Sequence, residues 1–191
     1  TALAALEKGL INPRQATQCR GAITFGKRSF RCTHVHGPVE LHKAIAQSCN
    51  VYFYWLASEL GVGMDVIAEM GQRFGLGTRT GLGVSAEASG RMPTRAWMTL
   101  RNKGQFRLGF GLNAAIGQGA TTVTVLQLAL AYAALANGGT LYQPQIVRAV
   151  ETSAGTVVQE FTPRVRRQVD VSPENLALVQ KALYSGVNEE K

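Results

Sequence analysis

Three small polar residues, Ser48, Cys49 and Asn50, interrupt an otherwise apolar stretch of the chain. Their hydroxyl, thiol and carboxamide groups offer hydrogen-bond donors and acceptors. Held between rigid elements, such groups can face a cleft and take part in chemistry there. An ordinary helix break, in which short polar side chains bond the local backbone, is typical of the same residues. The tripeptide alone therefore leaves both interpretations open.

A second group of chemically active residues lies in the same part of the sequence. All three cysteines and all three histidines fall within one window: Cys19, Cys32, His34, His36, His42 and Cys49. Three thiolates and one imidazole fill a closed tetrahedral zinc site, and the spacing of Cys32 and His36 is familiar among zinc ligands. The pattern predicts Cys19, Cys32, His36 and Cys49 as ligands, with His34 the less favoured imidazole. The alternative is a disulfide between Cys19 and Cys32, with Cys49 a small buried apolar residue.

Two helices are expected to hold the tripeptide. Leu41, Ala44 and Ile45 recur at helical spacing before it, in a helix that we expect to start at Gly37-Pro38. The stretch from Val51 to Leu60 is apolar on nearly all sides, which indicates a buried helix. The tripeptide thus marks the step from one helix to the next.

The other elements follow from turn and capping signals. Cys19 to Thr33 predicts a hairpin with a turn at Gly26-Lys27, which places Cys19 and Cys32 on opposite arms. Thr124 and Gln127 form a capping box ahead of an apolar helix that we expect to be central and buried. Further expected elements are a short helix over 93–100 with Trp97 buried, a polar loop over 102–111, a strand-rich hairpin region over 140–171 and a C-terminal helix over 173–185.

Composition indicates a globular chain with a basic surface. The 191 residues are 46% hydrophobic and 17% charged, which suits one domain with a real core. No apolar run has the length of a membrane span, and no signal peptide opens the chain. The formal net charge is +8, but the basic residues form neither a basic helix nor an aromatic-interleaved stripe. This favours another kind of anionic partner over nucleic acid.

Two further stretches, read together with Ser48-Cys49-Asn50, resemble a known family. They are residues 86–97, AEASGRMPTRAW, and residues 115–119, AIGQG, which precede the capping box. In this order and spacing they are similar to the transpeptidase domain of penicillin-binding proteins, closest to the elongation-specific class B type. That family uses Ser-x-x-Lys, Ser-x-Asn and Lys-Thr-Gly motifs. Only Ser-x-Asn, at 48–50, occurs in this chain.

The resemblance spans residues 1–191 and implies a fold and a location. The expected fold class is α+β and helix-dominated, part of the transpeptidase and serine β-lactamase-like fold, with most of the central antiparallel sheet outside this chain. The chain would be a partial transpeptidase domain, residues 1–191, whose helical lobe carries the Ser-x-Asn motif. The implied location is the periplasmic face of the bacterial inner membrane, with the membrane anchor outside this chain.

The resemblance also implies an activity: serine-type D,D-transpeptidation that cross-links peptidoglycan stem peptides during cell elongation. The nucleophilic serine and its lysine base are absent here, so the isolated chain is expected to be inactive. Ser48 would relay a proton, Asn50 would bind the substrate amide, and Cys49 would point away from the cleft. No cofactor is expected for catalysis. Some family members hold a structural zinc beside the Ser-x-Asn loop, with carboxylates where this chain has Cys19 and Cys32.

The implied partners are stem peptides, β-lactam antibiotics and a membrane glycosyltransferase of the elongation machinery, with no nucleic acid. Two alternatives remain at this point. One is a non-catalytic penicillin-binding-like scaffold that binds partners, and the other is a soluble β-lactamase of related fold. The stretch over 86–97 favours the transpeptidase, because it resembles that family specifically.

Overall fold

The computed structural model describes residues 1–188, so the last three residues of the expected 1–191 domain lie outside the described part. The described helices are α1 Ala2–Glu7, α2 Leu41–Ala46, α3 Asn50–Ser58, α4 Met64–Arg73, α5 Arg95–Arg101, α6 Leu108–Ala115, α7 Val125–Ala136 and α8 Pro173–Asn188. The strands are β1 Thr17–Cys19, β2 Ala22–Phe25, β3 Arg28–Arg31, β4 Gly37–Val39, β5 Thr140–Gln143, β6 Ala149–Glu151, β7 Val157–Glu160 and β8 Arg164–Gln168. This is the expected helix-dominated α+β class.

The core forms around α3, which packs on α6, while α2 packs on α8. Tyr52 and Leu56 of α3 are fully buried, as the apolar sequence of this helix predicts. The approach of α2 and α8 is close, because a Cβ at Gly186 would lie 3.3 Å from the backbone oxygen of Ala46. The packing fixes both helices that flank the tripeptide.

The strands form four separate antiparallel ribbons within the described residues: β1 with β4, β2 with β3, β5 with β8 and β6 with β7. The predicted hairpin is present with its turn at Gly26-Lys27, but its arms are only β2 and β3. Cys19 lies on neither arm. It ends β1 and pairs with Gly37 of β4, so the expected helix start at Gly37-Pro38 is wrong. Pro38 is compatible with an edge strand, because the outer side of such a strand needs no backbone N–H for pairing.

The capping box at α7 is present, but the prediction that this helix is buried is wrong for this chain. Thr124 accepts from the backbone N–H of Gln127, and the Gln127 side chain accepts from the backbone N–H of Thr124. Val125, Leu128 and Tyr132 are nevertheless exposed, at 87%, 44% and 53%. No described element covers that face of the helix.

The region around Trp97 also differs from the expectation. The short helix α5 exists, but Trp97 is half-buried and is covered by arginine side chains rather than by the core. The second half of the expected loop over 102–111 is helix α6, which has apolar residues but also two glycines, so propensity alone does not reveal it. The expected hairpin over β6 and β7 and the C-terminal helix are both present, and Ser172 caps α8 by accepting from Asn175 N–H.

Among residues 1–188, no helix combines the length and the apolar character needed to cross a membrane.

Candidate functional site

The tripeptide forms a sharp step between α2 and α3. Ile45 and Ala44 carbonyls accept from the backbone N–H groups of Ser48 and Cys49, at 3.2 and 2.8 Å. Ser48 has a φ of +52°, one of two non-glycine residues with positive φ in the described part of the chain. An L-residue in this conformation costs about 1–2 kcal/mol. The turn leaves Ser48 exposed.

Cys49 and Asn50 are less exposed than Ser48. Cys49 is the N-cap residue of α3 and is fully buried. Asn50 is half-buried at the first position of α3. Its backbone N–H donates to the Cys32 sulfur at 3.2 Å, and its carboxamide nitrogen donates to the Arg31 carbonyl at 3.4 Å. The end of the β2–β3 hairpin therefore holds Asn50 from two sides.

Behind this step, the four predicted ligands come together. One donor atom from each of Cys19, Cys32, His36 and Cys49 lies within 4.8 Å of every other. His36 Nδ1 is 3.5 Å from the sulfur of Cys19 and 3.5 Å from that of Cys32. The sulfurs of Cys32 and Cys49 are 4.0 Å apart.

These distances fit a four-coordinate zinc site. With Zn–S near 2.3 Å and Zn–N near 2.0–2.1 Å, a tetrahedron has edges of about 3.5 Å between nitrogen and sulfur and about 3.8 Å between two sulfurs. The observed nitrogen–sulfur distances match the first value, and the Cys32–Cys49 distance is close to the second. All three cysteines are free thiols, so the structure contains no Cys19–Cys32 disulfide.

Three parts of the chain supply the cluster: the end of β1, the loop between β3 and β4, and the start of α3. Cys19 ends β1, Cys32 follows β3, His36 precedes β4, and Cys49 caps α3. The loop that carries His36 is fixed by Lys43 of α2, whose Nζ donates to the carbonyls of His36 and Pro38 at 2.9 and 3.1 Å. The site therefore ties the two N-terminal ribbons to the helix that begins at Asn50.

The electrostatics of the cluster vary between its members. Burial alone raises the pKa of Cys32, but backbone N–H groups of Val51, His34 and Asn50 aimed at the sulfur outweigh it, so that the net pKa is lowered. Burial also lowers the pKa of His36, and the neighbouring His34 and Lys43 act in the same direction, which favours the neutral imidazole that a metal ligand requires.

The Cys49 thiol behaves in the opposite way to Cys32. Burial raises the pKa of Cys49 to about 12, and the neighbouring thiols Cys19 and Cys32 add to the shift. Three thiolates this close repel one another, so a divalent cation would be needed to hold them all deprotonated.

The remaining histidines lie outside the cluster. His34 contributes its carbonyl, 3.6 Å from the Cys19 sulfur, while its ring stacks edge-on against His36 with centroids 6.0 Å apart. His42 lies on α2, half-buried. Sequence reasoning missed the role of Lys43. Nothing in its spacing signals that role, because its partners are backbone carbonyls that only the folded loop brings into reach.

The AIGQG stretch forms the turn between α6 and α7. Gly117 and Gly119 have φ of +75° and +87°, a backbone conformation that glycine adopts without strain in a tight turn. The Ala115 carbonyl accepts from the Thr1 hydroxyl at 2.8 Å. The start of α1 therefore lies beside the end of α6.

Comparison with known proteins identifies the class to which this fold and this site belong. The sequence matches the family described as "Penicillin binding protein transpeptidase domain" over residues 1–191. The chain belongs to that family.

Its relatives include penicillin-binding proteins of type 2. It is 40% identical over 114 residues to the peptidoglycan D,D-transpeptidase MrdA of Acinetobacter baumannii, a match that spans 60% of this chain and 17% of MrdA. The structure resembles the Pseudomonas aeruginosa PBP2 crystal structure in complex with WCK 5153, with a TM-score of 0.79 and 29% identity over 97% of this chain and 42% of that one. A chain from a peptidoglycan synthase complex that coordinates polymerization and crosslinking matches with a TM-score of 0.82 and 33% identity, over 98% of this chain and 31% of that one. The chain is a PBP2-type segment of the transpeptidase domain, and it spans less than half the length of each of these proteins.

Proposed function

We propose that the protein containing this chain is a serine-type peptidoglycan D,D-transpeptidase that works in cell elongation on the periplasmic side of the inner membrane. The observation that carries the proposal is the Ser48-Cys49-Asn50 step: an exposed hydroxyl and a half-buried carboxamide on a rigid turn, in a chain that matches the transpeptidase family from end to end. The location and the elongation role rest on the PBP2-type relatives.

In this proposal the step serves a nucleophile and a base that this chain does not contain. Ser48 passes a proton towards the leaving nitrogen of the stem peptide, because its hydroxyl both donates and accepts. Asn50 binds the substrate amide, since its carboxamide makes only one long contact, to the Arg31 carbonyl, within the described residues. The cluster behind Asn50 keeps the carboxamide in place.

The test is acylation of the intact protein by a fluorescent penicillin. Ser48→Ala and Asn50→Ala should each slow acylation, whereas Ser153→Ala, an exposed serine in the β6–β7 turn, should not. This chain alone should gain no mass on incubation with benzylpenicillin, because it has no Ser-x-x-Lys. An intact protein that binds no penicillin would instead favour a non-catalytic scaffold.

We also propose that Cys19, Cys32, His36 and Cys49 hold a structural zinc ion. The support is the donor set, the near-tetrahedral distances and the absence of a disulfide. When bound, zinc would supply no step of the reaction. It would cross-link the ribbons to the start of α3 and so hold Asn50 from behind.

Metal analysis of protein purified without chelators should find close to one zinc per chain, and a chelator should lower the thermal midpoint. Cys49→Ser should reduce the zinc content. Absence of metal, together with a single titratable thiol before reduction, would show that Cys19 and Cys32 form a disulfide instead.

As partners we propose stem peptides as substrates, β-lactams as inhibitors and a membrane glycosyltransferase in the same complex. The last proposal draws on the similarity to a chain from a peptidoglycan synthase complex that couples polymerization to crosslinking. Co-purification of the intact protein with a glycosyltransferase, tested from membranes of the native source, would support it.

A further inference from the structure

The positive charge of this chain is unevenly distributed. Residues 8–39 contain six Lys and Arg residues and no Asp or Glu, and residues 88–150 also contain six and none. Together these two stretches hold 12 of the 20 basic residues of the chain. The net charge of +8 therefore arises from two acid-free stretches rather than from a general excess of basic residues.

In the second stretch, arginines stack on aromatic rings. The guanidinium carbons of Arg91 and Arg101 lie 4.5 and 5.7 Å from the centroid of the Trp97 ring. Arg95 lies 4.5 Å from the centroid of Phe106. The expectation that basic residues are not interleaved with aromatic ones is therefore wrong over 91–107, where arginines and aromatic residues alternate in the sequence and stack in the fold.

These cations are unpaired. Among residues 1–188, none of Arg91, Arg95, Arg101, Lys103 and Arg107 lies within ion-pair distance of a carboxylate, and all but Arg91 are exposed. Stacking on a ring holds a guanidinium plane in place and leaves its N–H edge open, which suits two-point binding of an oxyanion. We call this set of five residues the cationic surface.

The segment that follows the cationic surface packs against the hairpin beside α3. Gly109, two residues after Arg107, packs against Phe30 of the hairpin so closely that a Cβ there would lie 3.2 Å from the ring. The Phe30 ring in turn contacts Tyr54 of α3, with centroids 5.6 Å apart. The two acid-free stretches thus meet beside the helix that begins at Asn50.

We propose that the cationic surface binds the carboxylates of peptidoglycan stem peptides, at a place separate from the bond that reacts, and so retains the polymer beside the active site. The inference rests on the proposed function, which makes peptidoglycan the polymer present beside Ser48 and Asn50. Planar guanidinium groups bind carboxylates with two parallel hydrogen bonds. Several such groups together can bind a strand that carries a carboxylate on each successive stem.

The first test measures binding of the intact protein to purified peptidoglycan by co-sedimentation. R101Q/R107Q should weaken binding about fivefold, since each exposed charge contributes little alone. The matched control R148Q/R164Q also removes two exposed arginines, from the strand-rich region, and should bind as the unsubstituted protein does. Equal losses in the two variants would show that only net charge matters and would overturn the proposal. Thermal midpoints identify any loss that comes from misfolding, in which case R107Q alone replaces the double variant.

The second test removes the carboxylates from the ligand. Peptidoglycan whose free carboxylates have been amidated chemically should bind the unsubstituted protein weakly. Its affinity should be about that of unmodified polymer for the R101Q/R107Q variant. Unchanged binding to amidated polymer would overturn the proposal. So would equal or tighter binding to a phosphodiester polymer or to anionic phospholipid vesicles, which would assign the surface to phosphate groups.

Acylation of the unsubstituted protein by fluorescent penicillin is measured in parallel. Lack of acylation with carboxylate-dependent binding intact would refute the transpeptidase proposal alone. Normal acylation with carboxylate-independent binding would refute the cationic-surface proposal alone.

Discussion

Replacement of Gln127 should lower the free energy of unfolding by more than is usual for a residue in the first turn of a helix. The Gln127 side chain is 1% exposed and connects α7 to the glycine-rich loop before α5. Its Nε2 donates to the carbonyls of Thr78 and Ser89 at 2.7 and 2.8 Å. Its Oε1 accepts from the backbone N–H groups of Thr124 and Gly77 at 3.3 and 3.4 Å.

The expected cost in unfolding free energy is worked out from the two short contacts of Nε2. Each of the two short bonds contributes about 1 kcal/mol net, and removal of the donor leaves two carbonyls without their partner, which adds about 1 kcal/mol more. Gln127→Ala should therefore lower the free energy of unfolding by about 3 kcal/mol. Thr124→Ala removes only the cap on the same turn and should cost about 1 kcal/mol.

Urea denaturation of the protein and its variants measures both values. The matched control is Gln105→Ala, because Gln105 is exposed in the loop before α6, and its loss should change stability by less than about 0.5 kcal/mol. Amide hydrogen exchange at Gly77 should also accelerate in Gln127→Ala, because the loop loses its anchor. If Gln127→Ala unfolds at the same urea concentration as Thr124→Ala, the buried amide does not hold the loop.

Four further predictions concern single sites. Ser48→Gly should be about 1 kcal/mol more stable than Ser48→Ala, because glycine adopts a φ of +52° without strain; equal midpoints would contradict this. Lys43→Met should weaken zinc affinity about tenfold in a competition titration, whereas the exposed Lys181→Met should not, because only Lys43 holds the loop of His36. Leu130→Ala should cost about 1–2 kcal/mol, less than a fully buried leucine, because Leu130 is half-buried. In metal-free protein, stability should fall as pH rises from 9 towards 12, because the folded state keeps the Cys49 proton that the unfolded state releases; bound zinc should move the loss to acidic pH.

Local signals predicted the elements that depend on a few neighbouring residues. The capping box at Thr124 follows from side-chain to backbone bonds within one turn, the hairpin turn at Gly26-Lys27 follows from the backbone freedom of glycine, and both are present. The helix boundary at Ser48-Cys49-Asn50 was predicted from the break in the apolar pattern, and α3 begins at Asn50 although its N-cap residue Cys49 makes no side-chain cap bond.

Features that depend on distant pairing were not predicted. Gly37 to Val39 form a strand because Thr17 to Cys19 lie opposite, and no residue within 37–39 signals that partner. Trp97 was expected in the core because tryptophan is usually buried, yet two arginines cover it instead. The cluster of Cys19, Cys32, His36 and Cys49 was predicted from residue type and spacing, whereas the β1–β4 ribbon that positions two of its members was not.

The exposed face of α7 shows what an apolar helix sequence can and cannot indicate. A helix that is apolar on all sides is typical of the interior of a complete domain. In this chain Val125, Leu128 and Tyr132 are exposed, and the chain spans 42% of the P. aeruginosa PBP2 chain that it resembles. The side facing the described fold is buried through Gln127, Ala131 and Ala134, which recur at helical spacing. The sequence of α7 thus suits burial on two sides of the helix. The described residues bury only the side that carries Gln127. An apolar helix predicts that burial is needed but does not identify which segment provides it.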